Sequence, residues 1–139
     1  MAPITTGLGD IDKLLGGGLQ RSDLFILAAR PSFGKSALAF NMARNAAGQG
    51  ATVGIFSLEM SREQVGIRLI SSEASVDSYR LKLGLLSDSE ERRLLDAIGA
   101  LSDLAVYVDD TPIQSIIEMR GKARRLQADR GLDLLVIDY

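Results

Sequence analysis

The chain contains no cysteine and no histidine. Disulfides, thiolate chemistry, imidazole bases and the usual zinc sites are thereby excluded, which leaves oxygen-ligated magnesium as the plausible metal. Long hydrophobic runs are missing too. No apolar stretch approaches the ~20 residues needed to cross a bilayer, and Met1-Ala2-Pro3-Ile4 opens no charged-then-apolar signal peptide. A cytoplasmic protein with no membrane partner is expected. Nor is there an excess of charge of one sign: 16 Lys and Arg stand against 18 Asp and Glu, a formal charge of -2. Bulk electrostatics therefore does not advertise nucleic acid. What the chain does have is apolar content, 46% of its 139 residues. That is enough for one globular core burying roughly two-thirds of the unfolded surface, so residues 1–139 are expected to form a single domain.

Strand and helix patterns alternate, as in an α/β parallel sheet flanked by helices. The uninterrupted apolar run Leu24-Phe25-Ile26-Leu27-Ala28 predicts a strand covered on both faces. A helix is predicted over 36–47, stopped by Gly48 and Gly50, and a second strand over 52–57. Ser61 with Gln64, and Ser87 with Glu90, have the capping-box spacing. They predict helices from 61 to about 72 and from 87 to about 101, the latter with Leu94, Leu95, Ile98 and Leu101 as its apolar stripe. Two further strands, over 104–108 and 132–137, end in Asp109 and Asp138. The helix expected over 115–128 carries a buried stripe of Ile116, Met119, Ala123 and Leu126. Its basic run, Arg120 to Arg125, reads as a solvated face, with nucleic-acid contact as the alternative. Gly16-Gly17-Gly18 reads as a mobile connection into the first strand.

Between the first strand and its helix lies Ala29-Arg30-Pro31-Ser32-Phe33-Gly34-Lys35-Ser36. A sharp strand-to-helix turn aims backbone N–H groups and the positive end of the helix dipole at one spot, which suits a triphosphate. Lys35 would reach the outer phosphates and the Ser36 hydroxyl would complete the shell of Mg2+. The pattern G-x-x-x-x-G-K-[ST] has glycine where this chain has Ala29, so Ala29 must keep a backbone conformation open to a residue with a Cβ. Leu134-Leu135-Val136-Ile137-Asp138 supplies the second half of such a site, an apolar strand fixing a carboxylate within reach of the same metal. In a parallel sheet the strands' carboxyl ends share one edge, so Lys35, Glu59, Asp109 and Asp138 are expected along it. Glu59, just past the second strand, is placed either to take a proton from an attacking water or to favour a helix start.

Thr5-Thr6-Gly7, Leu14-Leu15-Gly16-Gly17-Gly18-Leu19, the loop from Ala29 to Ser36, Phe56-Ser57-Leu58-Glu59-Met60, Asp110-Thr111-Pro112, Lys122-Ala123-Arg124-Arg125-Leu126 and Val136-Ile137-Asp138-Tyr139 together resemble the ATPase domain of DnaB-type replicative DNA helicases. The likeness runs through nearly the whole chain. It implies a RecA-like P-loop core that assembles as a homo-hexamer, hydrolyses ATP between subunits and moves along single-stranded DNA at the replication fork, with primase and a helicase loader as partners. By the same likeness Lys35 and Ser36 bind phosphates and magnesium, Glu59 is the general base and Asp138 the metal-site acid. Asp109 is not carried over as catalytic. Other RecA-like ATPases, of recombinase or circadian-clock type, are the alternative reading. The family continues past the position of Tyr139 with further strands, a γ-phosphate sensor, DNA-binding loops and an arginine finger. The chain is therefore expected to be a partial ATPase domain that binds nucleotide but turns it over slowly by itself.

Overall fold

The computed structural model describes residues 2–28 and 34–139. Three parallel strands form its sheet: β1 (Val53–Ser57), β2 (Val106–Asp109) and β3 (Leu134–Asp138), in the order β2-β1-β3. Central β1 is buried at every residue, whereas β3 alternates between more and less covered positions. Registers are fixed by Val53 opposite both Val106 and Leu134, so Ser57 lies opposite Asp138. One sheet face packs on α2 (Lys35–Gly48), whose Phe40, Ala43, Ala46 and Ala47 meet Val53 and Ile55 in the main core. The small alanines let the helix axis approach the sheet closely. The other face is partly covered by α6 (Ile116–Arg130).

Between β1 and β2 the chain forms α3 (Arg62–Ala74), α4 (Ser78–Leu83) and α5 (Asp88–Ser102). Both expected capping boxes are present: Ser61 accepts from the Gln64 N–H while the Gln64 side chain accepts from the Ser61 N–H, and Ser87 and Glu90 do the same. Two bidentate ion pairs tie the helices, Arg44 of α2 to Glu73 of α3 and Arg80 of α4 to Glu90 of α5. A second apolar cluster of Ala74, Val76 and Ala97, flanked by Ile70 and Leu86, holds this insertion together.

Several expectations are corrected. Residues 24–28 form no strand: among the described residues they pair with no neighbour, and Leu24 and Ile26 are 87% and 75% exposed. A strand exists only where a ladder receives it, and an apolar run cannot supply its own partner. On α5 the contact residue is Ala97, buried between helices, while Leu95 and Ile98 face outward. A small residue there allows close packing of α5 on α3, which tips the larger residues off the seam. On α6, Met119 is buried and Ala123 and Leu126 are half-buried, but Ile116, in the first turn, is exposed. The glycine run is a hydrogen-bonded turn instead of a free connection. Leu19 exchanges both backbone hydrogen bonds with Ile4, and Gly18 sits at φ 138 with no room for a Cβ beside the Ile4 carbonyl. The short helices α1 (Gly9–Leu14) and α4 carried no expectation; each is six residues long, and α4 is tied to α5 by Arg80 and Glu90.

Candidate functional site

The C-terminal edge of a parallel sheet gathers strand-end residues and helix N-termini, and the candidate site is built there. Gly34 begins α2 in the left-handed conformation, φ 76, which glycine adopts without a steric penalty. Its carbonyl accepts from the Leu38 N–H, the first turn of the helix. Lys35 and Ser36 therefore stand at the positive end of the α2 dipole. Ala29, Arg30, Pro31, Ser32 and Phe33, expected to complete the loop, lie outside the described residues.

Asp138 ends β3 and is 4% exposed. The Ser36 hydroxyl donates to its carboxylate at 3.1 Å from Oδ1 and 3.0 Å from Oδ2. Lys35 Nζ lies 3.8 Å from Asp138 Oδ1, donates to the backbone oxygen of the last residue, Tyr139, at 2.9 Å and sits 5.6 Å from the centre of the Tyr139 ring. A buried carboxylate is costly unless charge and hydrogen bonds compensate it, and here an ammonium and a hydroxyl do so. The hydroxyl and carboxylate are hard oxygen donors that suit Mg2+. Among the described residues no group of three or more Asp, Glu, His or Cys converges on a metal position. Two protein oxygens, with the rest of the shell left to phosphate and water, is the way magnesium is usually held with a nucleotide.

Glu59 lies two residues beyond Ser57, which is in register with Asp138, so it shares this edge and is exposed. The turn bearing it is pinned from below: the Leu58 N–H donates to the Asp138 carbonyl at 2.9 Å, and the Met60 N–H to the hydroxyl of fully buried Ser57 at 3.2 Å. Lys35, Ser36 and Asp138 are thus brought into contact, with Glu59 on the adjoining turn.

Asp109 is at the same edge but already engaged. It pairs with Lys122 Nζ at 2.8 Å and accepts from the Thr111 N–H and from Gln114 Nε2. Partial burial acts to raise its pKa, yet the bonds from Lys122, Thr111 and Gln114 prevail and hold the carboxyl at about 2. Lys122 is thereby drawn out of the basic run, leaving Arg120, Arg124 and Arg125 exposed on α6. Sequence reasoning missed one further acid, Asp110, which accepts from the Arg62 N–H at 2.9 Å. No local signal joins residues 48 positions apart; the neighbouring strand ends of β1 and β2 were the available hint.

Comparison with known proteins follows the same lines. The family model for the DnaB-like helicase C terminal domain matches residues 3–139. The replicative DNA helicase DnaB of Synechocystis sp. is 47% identical over 139 aligned positions, covering 98% of this chain and 16% of that protein. That of Geobacillus stearothermophilus is 43% identical over 137, covering 98% of this chain and 30% of that protein. Among solved structures, one ATPase domain superposes with a TM-score of 0.91 at 27% identity, over 99% of this chain and 50% of that one. A DnaB-like replicative helicase, described together with its interactions with primase, gives 0.92 at 27% identity, over 100% of this chain and 35% of that one. The α/β sheet with its flanking helices is thus the fold of RecA-like helicase ATPase domains, and the chain spans no more than about a third of the curated relatives it matches. By sequence and by fold alike, the chain belongs to the DnaB-like helicase C-terminal domain family.

Proposed function

We propose that this chain is the nucleotide-binding part of an ATP-dependent replicative DNA helicase, which uses ATP hydrolysis to move along single-stranded DNA and part the duplex at the replication fork. The observation that carries the reading is the contact of Ser36 with Asp138, which unites the start of the phosphate-loop helix with the carboxylate at the tip of β3. In this reading the N–H groups at the start of α2 and the loop from Ala29 to Phe33 receive the phosphates, and Lys35 reaches the outer phosphates. Ser36 and Asp138 hold Mg2+. Bound there, magnesium neutralises charge on the phosphate oxygens. Glu59 accepts the proton of the attacking water from its place on the turn after β1. The family resemblance further implies a homo-hexamer acting in the cytoplasm with a helicase loader, and the primase named with one structural neighbour supports primase as a partner.

Titration of the chain with a fluorescent ATP analogue tests the reading. Lys35→Ala is expected to weaken binding about tenfold or more, as loss of a charge-assisted contact does. Unchanged affinity would reduce the loop to a surface turn and overturn the assignment.

A further inference from the structure

The carboxylate of Glu59 is exposed, and among the described residues no hydrogen bond or ion pair holds it. Its position is therefore that of the backbone turn between Ser57 and Arg62. One end of this turn is fixed by the bond from the Leu58 N–H to the Asp138 carbonyl. The other end is the first residue of α3, and its restraint comes from Asp110, the residue just past β2. Asp110 Oδ2 accepts from the Arg62 N–H at 2.9 Å, while Asp110 Oδ1 lies 3.8 Å from Arg62 Nε. The N–H groups of a first helical turn have no partner within the helix. Ser61 satisfies that of Gln64, and Asp110 satisfies that of Arg62 with a negative charge at the positive end of the helix.

Asp110 is itself well anchored. Its neighbour Asp109 is in register with Phe56 of β1 and is clamped by Lys122, Thr111 and Gln114. The turn bearing Glu59 is thus held at Leu58 by the Asp138 carbonyl, at Met60 by the Ser57 hydroxyl and at Arg62 by the Asp110 side chain. We propose that Asp110 is a positioning residue for Glu59, holding the start of α3 so that the Glu59 carboxylate stays within reach of the water it deprotonates. This rests on the reading of Glu59 as general base. A displacement of about 1 Å in a reacting group can cost on the order of a hundredfold in rate, and loss of one anchor of so short a turn permits a shift of that size.

The test uses the full-length helicase carrying this chain, with steady-state ATP turnover and nucleotide affinity measured in parallel. Asp110→Ala is expected to lower kcat by about tenfold to a hundredfold while nucleotide affinity stays within about twofold, since the bonds of Asp110 go to α3 and not to the helix of the phosphate loop. Asp110→Asn keeps an oxygen acceptor for the Arg62 N–H and is expected to restore most of the rate. Arg62→Ala keeps the N–H and is expected to behave like the unsubstituted protein, which separates a backbone anchor from a surface ion pair. A kcat for Asp110→Ala within twofold of the unsubstituted protein overturns the proposal. So does an Asp110→Asn variant as slow as Asp110→Ala. Glu59→Gln, run alongside, keeps the two readings apart: if it is slow and Asp110→Ala is not, only the positioning role fails, and if it turns over normally, the base and its positioning fail together.

Discussion

The hydroxyl of Ser36 donates to both carboxylate oxygens of Asp138, a residue 102 positions later in the chain. One group comes from the first turn of α2 and the other from the tip of β3, so the contact exists only when helix and sheet are packed together. The proposed magnesium site is in this sense a report on the core that Phe40, Val53 and Ile55 build beneath it.

Replacing Asp138 with asparagine removes the negative charge and keeps the shape. Mg2+ is expected to tighten nucleotide binding in the unsubstituted chain by about tenfold or more and to do so by less than about twofold in Asp138→Asn, because a hard cation loses its one anionic protein oxygen. Paired titrations with and without Mg2+ check this; equal metal dependence in the two proteins would place the ion elsewhere.

Glu59→Gln, made in the full-length helicase, is expected to leave nucleotide affinity within about twofold and to lower turnover by about a hundredfold or more, the usual contribution of a general base. Phosphate release at saturating ATP is the measurement. Asp109 makes a poor substitute as base, since its lone pairs are occupied and its pKa is held at about 2.

Acid stability should carry the mark of Asp109. Its carboxyl titrates near 2 in the folded chain against 3.8 ordinarily, so on acidification the unfolded chain takes up the proton first. The stabilisation is complete above about pH 4 and is lost between about pH 4 and pH 2, at most roughly 2.5 kcal/mol at ~1.4 kcal/mol per pH unit and less for a carboxylate partly open to solvent. Urea midpoints of the unsubstituted chain and Asp109→Asn are expected to differ at pH 6 and to converge near pH 2. A constant difference down to pH 2 would assign the effect to packing.

Two structural substitutions probe the scaffold. Phe40→Ala opens a hole in a position only 2% exposed and is expected to cost about 3–5 kcal/mol. Gly18→Ala forces a side chain into a positive-φ turn against the Ile4 carbonyl, and a loss of roughly 1–3 kcal/mol is expected. Thermal unfolding measures both, and a Gly18→Ala protein as stable as the original would show that the turn relaxes freely.

Local signals in the sequence translated faithfully. The capping boxes at Ser61 and Ser87 involve residues three positions apart, so chain geometry alone decides them. The strand expected over 52–57 was legible after the helix stop at Gly48 and Gly50, and it is observed as β1, Val53–Ser57. What failed was whatever depended on a distant partner. Residues 24–28 have a strand's composition but meet no ladder among the described residues, and Leu95 and Ile98 have a helix's apolar spacing but lose the seam to Ala97. The site divides in the same way. Lys35, Ser36 and Asp138 were legible because each follows a recognisable local pattern, whereas the bond from the Arg62 N–H to Asp110 depends on β1 and β2 being neighbours.

The insertion between β1 and β2 owns a separate apolar cluster, and α3 is the element common to both, with Val65 and Leu69 turned to the main core and Ile70 and Ala74 to the smaller one. Cooperative unfolding units follow boundaries of this kind. Amide protons in α4 and α5 should exchange with solvent through openings that leave β1 and α2 intact, while those of α3 report two protection levels along a single helix. The segment after Glu59 can then loosen its far half without disturbing the strand end on which Glu59 depends.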